Sequence, residues 1–295
     1  MSSALEVLRT GPQVLLEDAG RPGLAAVGVG RSGAADRAAH RLACRLLGHA
    51  DAPAALEVLL GGLVVRARGR MLVAVTGAVG PLALDGRPVP PAAVLELVDG
   101  AELALGAPAS GLRSYLAVRG GLDVPAVLGS RSTDVLAGLG PPPVRVGDVL
   151  PVGAAPATFP HVDHAARWAP PTGDVVLDVL PGPRSSWVGG LDAVVRGGWV
   201  VGPDSDRVGV RLRPVGPPLL RLPEHAGVEL ASEGMVRGAV QLPPGGEAVV
   251  FLADHPVTGG YPVVAVLTDA AADRAAQLRP GESVRLRPAT PRRGP

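Results

Sequence analysis

The chain has 295 residues, of which 47% are hydrophobic and 19% charged, and its formal net charge is +1. This is enough apolar material for two ordinary domains or one large one, and 41 glycines and 32 prolines favour many short elements over long helices. Dispersed arginines and an aromatic content of 2% disfavour nucleic acid as a ligand. The absence of lysine excludes a Schiff base and a G-x-x-x-x-G-K-[ST] phosphate loop.

Membrane and compartment signals are also weak. The longest apolar stretches are broken by glycine and proline before they reach the length of a membrane span, and the opening residues do not follow the pattern of a signal peptide. Cys44 is the single cysteine, so the chain forms no internal disulfide, and its position beside an apolar stripe predicts a packed thiol. Together these features favour the cytoplasm.

The first half of the chain, in order, consists of short β-type runs separated by turn residues. Between them, the pattern over Asp36–Leu47 predicts one helix with an apolar face, which Ser32 or Asp36 caps and Gly48 stops. We predict an N-terminal domain over residues 1–155 and a proline-rich linker over 156–171. The predicted strands lie at 5–10, 12–18, 63–67, 71–77, 82–86, 93–100, 101–106 and 114–121.

The second half, residues 172–295, repeats this style and is predicted to be the C-terminal domain. A helix is expected at 270–278. Two β-rich halves with one short helix each indicate two related barrels. The predicted strands lie at 174–182, 198–202, 206–212, 227–232, 238–246, 247–254, 262–269 and 282–288.

Two motifs have stronger structural than functional interpretations. "GVGRSG" (28–33) fits G-x-G-x-x-G, but it lacks the preceding strand and the alternating helices of a dinucleotide fold. It is a glycine-rich loop entering a helix, which either presents N–H groups to an anion or makes a capped turn. "HVDH", with His161, Asp163 and His164, lies in the linker without a third ligand cluster, so we expect a solvated segment rather than a metal site.

Three polar stretches of the second half are the strongest candidates for a site. They are "GPDSDRVGVRL" (202–212), "ASEGMVRGAVQLPPGGE" (231–247) and "DHPVTGGYP" (254–262), and each places polar residues beside glycines at predicted strand ends. Such positions at a barrel mouth build binding sites. The alternative is a set of hairpin turns with solvated charges.

The blocks "EDAGRPG", "GVGRSGAADRAAHRLAC", "RSYLAVRGGLDVPAVLGSRSTDV", "DSDRVGVRL", "SEGMVRGAVQLPPGGE" and "LADHPVTGGYP" occur in an order that closely resembles the allophanate hydrolase subunit 2 family. This family is also called biotin-dependent carboxyltransferase-like and includes the C-type subunit of 5-oxoprolinase. The resemblance implies an all-β chain of two cyclophilin-like β-barrels. It also implies a partner, the B-type subunit of 5-oxoprolinase or an allophanate hydrolase subunit 1-like protein.

The resemblance further implies ATP-dependent opening of 5-oxoproline to glutamate, with the B-type and C-type subunits activating the lactam by phosphorylation. Alternatives are carboxyl transfer from carboxybiotin to urea or a related amide, and a regulatory partner of the kinase-inhibitor type. Cofactors would be ATP and Mg²⁺, on this chain or its partner, with metal oxygens from Asp36, Glu233 or Asp254. The candidate catalytic residues are Arg207, Glu233, Asp254 and Tyr261. The candidate cofactor-binding residues are Arg21, Arg31, Ser32, Gly33, Asp36, Gln241, Thr258, Gly259 and Gly260.

Overall fold

The computed structural model describes residues 3–160, 162–166 and 173–290. It divides into two compact units. The N-terminal unit comprises residues 1–23 and 31–170, and the C-terminal unit comprises 24–30 and 171–295. The domain limits drawn from the sequence stay a prediction, and His161 of "HVDH" lies outside the described residues. No helix in the described ranges is both long and apolar enough to cross a membrane.

The N-terminal unit carries its strands in two sheets. One has six strands in the order β11-β1-β4-β9-β6-β7, and the other has five in the order β2-β3-β10-β5-β8. Leu5, Val65, Leu56 and Leu116, taken from both sheets, share one buried core. Its elements are β1 (Ala4–Arg9), β2 (Gln13–Glu17), α1 (Arg37–Leu46), β3 (Ala55–Leu59), β4 (Val64–Arg68), β5 (Met71–Gly77), β6 (Leu82–Leu84), β7 (Arg87–Val89), β8 (Val94–Leu97), β9 (Glu102–Leu105), β10 (Arg113–Val118) and β11 (Val149–Pro151).

Helix α1 packs on the five-stranded sheet and confirms the helix predicted from the apolar periodicity. Ala43 and Cys44 contact Ala74 of β5 and Ala117 of β10 in a cluster of small buried residues. The side chain of Asp36 caps the helix N-terminus, as one of the two expected alternatives. Cys44 is fully buried, and burial raises the pKa of its thiol to about 12, which confirms a packed thiol.

The C-terminal unit is a closed barrel in the strand order β12-β19-β16-β17-β14-β13-β20. The all-β class with a few short helices predicted for the chain is confirmed. The short β15 and β18 pair with each other outside the barrel. The elements of the C-terminal unit are β12 (Val175–Pro181), α2 (Leu191–Arg196), β13 (Gly198–Val201), β14 (Gly209–Val215), β15 (Glu233–Gly234), β16 (Ala239–Gln241), β17 (Ala248–Phe251), β18 (Thr258–Gly259), β19 (Val263–Leu267), α3 (Asp269–Ala275) and β20 (Ser283–Pro288).

Barrel pairing overturns the hairpin interpretation of "DHPVTGGYP". The strands on either side of this segment, β17 and β19, do not pair with each other because β16 lies between them. The connection therefore passes β16 and contributes β18, in which Thr258 is paired with Gly234 of β15. The segment is a connection with its own backbone pairing, not a tight turn.

Another prediction for this unit was wrong. Residues 227–232, "GVELAS", were expected to form a strand but have no regular structure and are almost entirely exposed. A half-buried strand needs one face covered by the core, and Val228 is 42% exposed. Helix α2, which the sequence did not indicate, precedes β13 instead.

Candidate functional site

In the N-terminal unit, two polar loops meet around the carboxylate of Asp18. One carboxylate oxygen accepts hydrogen bonds from the Gly20 N–H at 2.7 Å, the Ser130 hydroxyl at 2.7 Å and the Ser132 hydroxyl at 2.6 Å. The other accepts from the Arg131 N–H at 2.6 Å. A single acid thus joins "EDAGRPG" to "GSRSTDV", two blocks that are far apart in the sequence.

Arg21 and Arg31 lie at this junction and differ in exposure. The Arg21 N–H donates to the Arg31 carbonyl at 2.8 Å, and its Nη2 donates to the Ser132 carbonyl at 2.5 Å. Arg21 is 2% exposed, and its Nη1 has no hydrogen-bond partner among the described residues. Arg31 is exposed, and its Nε donates to the Ala19 carbonyl at 3.2 Å. Arg31 is therefore the arginine of this pair that solvent reaches.

Ser32 and Gly33 form the tight part of the glycine-rich loop. Both have left-handed backbones, with φ of 54° at Ser32 and 91° at Gly33. A Cβ at Gly33 would lie 2.8 Å from the Gly20 nitrogen, so only glycine fits there. Ser32 is fully buried, and its hydroxyl lies 3.4 Å from the Thr133 carbonyl. A left-handed serine costs free energy and persists only where its surroundings impose it.

The backbone N–H groups that follow this loop are already bound by the protein. Ala34 donates to the Asp18 carbonyl at 3.1 Å, Ala35 to the Glu57 carboxylate at 2.9 Å, and Asp36 to the Tyr115 hydroxyl at 2.7 Å. The Asp36 carboxylate in turn accepts from the Ala39 N–H at 2.9 Å. These three amides are not open to an anion, and phosphate binding at the loop stays a prediction that depends on other groups, such as Arg31.

Glu57, Arg113 and Tyr115 form a buried polar group that sequence reasoning missed. Each is at most 4% exposed. The Tyr115 hydroxyl donates to Glu57 at 2.8 Å, and Arg113 lies 3.3 Å from the same carboxylate. Burial and the charge of Glu57 raise the pKa of Tyr115 far above its usual value, so it stays a neutral donor. A lone glutamate in the apolar run "AALEVLL" was the available signal.

In the C-terminal unit, Arg207 and Asp254 bind each other. Arg207 Nε donates to one oxygen of Asp254 at 2.9 Å, and Nη2 donates to the other at 3.1 Å. Their side chains are only 2% and 0% exposed. The structure thus brings two of the predicted catalytic residues together, with their charges directed at each other. Their catalytic role stays a prediction.

Glu233, on β15, is the candidate acid that solvent reaches. Arg184 Nε donates to its Oε1 at 3.1 Å, and Nη2 forms a second short contact with the same oxygen. The side chains of Arg184 and Glu233 are 35% and 27% exposed, respectively. The guanidinium of Arg184 lies 5.7 Å from the Trp187 ring, which stacks on His225 at 4.6 Å. Sequence reasoning missed Arg184 and Trp187, which closely follow the predicted strand at 174–182.

The remaining candidates surround the β15–β18 pair. Gly259, paired with Glu233, is close to Gln241, because a Cβ on Gly259 would lie 2.7 Å from the Gln241 amide nitrogen. That nitrogen lies 3.3 Å from the Tyr261 carbonyl. Tyr261 is 45% exposed, and Thr258 and Gly260 are exposed beside it. The β15–β18 pair therefore brings Glu233, Gln241 and Tyr261 close together, and of these Gln241 is buried, at 6% exposure.

Metal-ligand geometry is absent from the described ranges. They contain no group of three or more His, Cys, Asp or Glu side chains placed to hold a metal. In "HVDH", Asp163 and His164 form an exposed contact of 2.7 Å, with side chains 86% and 81% exposed, respectively. This agrees with the solvated segment expected there.

Comparison with known proteins identifies the family of the chain. The family model of the carboxyltransferase domain, subdomain A and B, matches residues 27–288. The chain belongs to this family. The resemblance drawn from the ordered blocks is thereby confirmed.

Curated relatives range from single subunits to multi-domain enzymes. The chain is 36% identical to the C-type subunit of 5-oxoprolinase from Escherichia coli (strain K12) over 292 residues, covering 95% of this chain and 89% of that protein. It is 30% identical to urea amidolyase of Saccharomyces cerevisiae (strain ATCC 204508 / S288c) over 318 residues, covering 97% of this chain and 17% of that protein. Such relatives are parts of enzymes.

Solved structures agree with the fold. The crystal structure of TTHA0988 superposes with a TM-score of 0.86 at 33% identity, covering 97% of this chain and 56% of that one. The Kluyveromyces lactis urea amidolyase superposes with a TM-score of 0.87 at 28% identity, covering 97% of this chain and 19% of that one. The chain thus spans only part of these longer proteins.

Proposed function

We propose that the chain is the C-type subunit of an ATP-dependent 5-oxoprolinase. With a B-type partner it would activate 5-oxoproline by phosphorylation, so that the lactam can be hydrolysed to glutamate. The observation that carries this proposal is the 36% identity to the C-type subunit of the Escherichia coli 5-oxoprolinase over 89% of that protein. We also propose the cytoplasm as its location, on the sequence argument from the single cysteine.

The chemistry explains why activation is needed. A lactam is a poor electrophile, and phosphorylation of its oxygen creates a leaving group; bound ATP would supply the phosphoryl group. In this proposal the Glu233 carboxylate, held in place by Arg184, accepts a hydrogen bond from the lactam N–H. The exposed Tyr261 would orient the ring, and the buried Gln241 would hold the Tyr261 carbonyl through its amide nitrogen.

Among the described residues, the three carboxylates predicted to bind Mg²⁺ do not fit the ion on their own. Asp254 is bound by Arg207, Asp36 caps α1, and Glu233 is bound by Arg184. Nor is the glycine-rich loop a complete phosphate cradle, because its three following amides are occupied. We therefore propose that the partner subunit contributes the groups that hold the metal and the nucleotide.

Carboxyl transfer is the second candidate, favoured by the family match and by the superposition on urea amidolyase. The chain has no lysine to carry biotin, so this function would require a separate carrier. In that case the same site would bind urea or a related amide, whose N–H groups also suit Glu233.

The deciding experiment is co-purification with the B-type subunit of a 5-oxoprolinase, followed by assay of ATP hydrolysis. The substrates are 5-oxoproline, urea and buffer alone. Stimulation by 5-oxoproline supports the first proposal. Stimulation by urea only, with a biotin carrier present, supports the second, and association without stimulation by either supports a regulatory partner of the kinase-inhibitor type.

A further inference from the structure

The N-terminal unit contains a cavity of about 370 Å³ that none of the roles above uses. Its volume lies in the range of about 300–1,000 Å³ that is usual for small-molecule sites. We call it the His49 cavity; its polar lining comprises His49 and Asp51, which follow α1, and Asp123 and Arg131.

The walls of the His49 cavity are fixed by the protein. Arg119 donates from Nη1 to the Leu47 carbonyl at 2.6 Å and from Nη2 to the Pro156 carbonyl at 2.5 Å. A Cβ at Gly120, which lines the cavity, would lie 2.3 Å from the Gly153 carbonyl oxygen, so only glycine fits there. Part of the lining is therefore backbone that the protein holds in place, beside the polar side chains named above.

His49 presents a neutral ring at this cavity. It is 8% exposed, and its Nε2 accepts from the Gly120 N–H at 3.1 Å, which places the ring proton on Nδ1. Burial lowers the pKa of His49 and keeps the ring uncharged at neutral pH. Nδ1 lies 3.9 Å from Asp51 Oδ1, which is too long for a hydrogen bond. The negative charge of Asp51 is thus not neutralised by His49.

Arg131 supplies the positive charge of the lining. Its Nη2 donates to Asp123 at 2.5 Å and its Nε donates to the Val124 carbonyl at 2.7 Å, which together fix the guanidinium. Within the ranges that the structure describes, its Nη1 makes no hydrogen bond. An immobilised arginine with an unused donor is suited to bind a carboxylate.

We propose that the His49 cavity binds an amino-acid-sized zwitterion, with its ammonium group facing Asp51 and its carboxylate accepting from Arg131. A simple anion would meet Arg131 but also the charges of Asp51 and Asp123. A simple cation would face Asp51 but would leave Nη1 of Arg131, a side chain that is 38% exposed, to water. A zwitterion offers an ammonium group to Asp51 and a carboxylate to Arg131. This site is independent of the proposed 5-oxoprolinase function, because it shares no residue with the site proposed for that function.

The test is calorimetric titration of the whole chain with each of the twenty standard L-amino acids, and with ethylamine and propionate as ligands that lack one charge. We expect at least one amino acid to bind, and both single-charge compounds to bind more weakly. Asp51→Asn and Arg131→Gln should each weaken binding about tenfold or more, because each removes a charged hydrogen bond. The matched controls Asp204→Asn and Arg70→Gln alter exposed side chains outside the cavity lining and should bind as the unmodified chain does.

Asp51→Asn keeps the test valid if Arg131→Gln disturbs its loop, because the Asp51 side chain is 84% exposed and supports little structure. The proposal is overturned if no amino acid binds, if propionate or ethylamine binds as tightly as the amino acid, or if Asp51→Asn binds with unchanged affinity. None of these results would bear on 5-oxoproline-dependent ATP hydrolysis, which the co-purification assay measures separately.

Discussion

Two arginine–carboxylate pairs of the C-terminal unit have the same chemistry and opposite access to water. The side chains of Arg207 and Asp254 are 2% and 0% exposed, whereas those of Arg184 and Glu233 are 35% and 27% exposed. A desolvated pair is costly to break because the remaining charge has no water to solvate it. A half-exposed pair contributes little to stability but can meet a ligand. Burial therefore favours a bracing role for the first pair and a substrate-facing role for the second.

Arg207→Ala gives the largest expected effect on stability. Removing the guanidinium leaves the Asp254 carboxylate buried without its cation, so the free energy of unfolding should fall by about 3–5 kcal/mol. Urea denaturation followed by circular dichroism measures this change. The control Arg207→Met/Asp254→Leu removes both charges and should be close to the unmodified chain. An unchanged midpoint for Arg207→Ala would show that the pair is not a brace.

Glu233→Gln should affect activity and not stability. In the assembled complex, we expect 5-oxoproline-dependent ATP hydrolysis to fall about 100-fold, because the amide loses the charge that holds the substrate N–H. The urea midpoint should remain the same, since the pair with Arg184 is half-exposed. Glu247→Gln is the matched control, as Glu247 is 49% exposed and paired with Arg213 in the same unit. Full activity of Glu233→Gln would remove Glu233 from the site.

Local patterns predicted those elements whose burial follows the strand or helix period. In β20, alternate residues such as Val284 and Leu286 are buried, and α1 buries one face, so both could be found from the sequence. "GVELAS" has strand composition but no core face to cover it, and composition alone could not show that. The hairpin alternative at "DHPVTGGYP" was wrong because the pairing of β17 is with β14 and β16, and barrel order is not local information.

In the candidate site, too, the sequence predicted what is local and could not predict what depends on the fold. Glu233, Gln241 and Tyr261 come from neighbouring blocks and do lie close together around the β15–β18 pair, whereas Arg207 and Asp254 are 47 positions apart and are joined only by the fold. Sequence clustering identifies polar loops but not the partner or burial of each charge. The ion pair between Arg184 and Glu233 could not be predicted from the sequence, because the two residues are 49 positions apart and only the fold brings them together.

Asp36→Ala tests a buried charge that caps a helix, at the N-terminus of α1. Asp36 is 7% exposed and accepts from the Ala39 N–H at 2.9 Å, so loss of this cap should lower the free energy of unfolding by about 1–2 kcal/mol, as urea denaturation would measure. Asp36→Asn retains the cap and should keep most of the stability that Asp36→Ala loses. If Asp36→Asn were stable but inactive in the assembled complex, the carboxylate itself would be needed for function.

Thr268→Ala gives the smallest expected effect, at the cap of α3. The Thr268 hydroxyl accepts from the Ala271 N–H at 3.3 Å, which is longer than the corresponding bond at Asp36, and it carries no charge. We therefore expect a loss of about 0.5 kcal/mol, at the low end for caps, measured by urea denaturation beside Asp36→Ala. Thr268→Ser, which keeps the hydroxyl, is the control. A loss at Thr268 equal to that at Asp36 would mean that charge and burial do not determine what a polar side chain contributes to this fold.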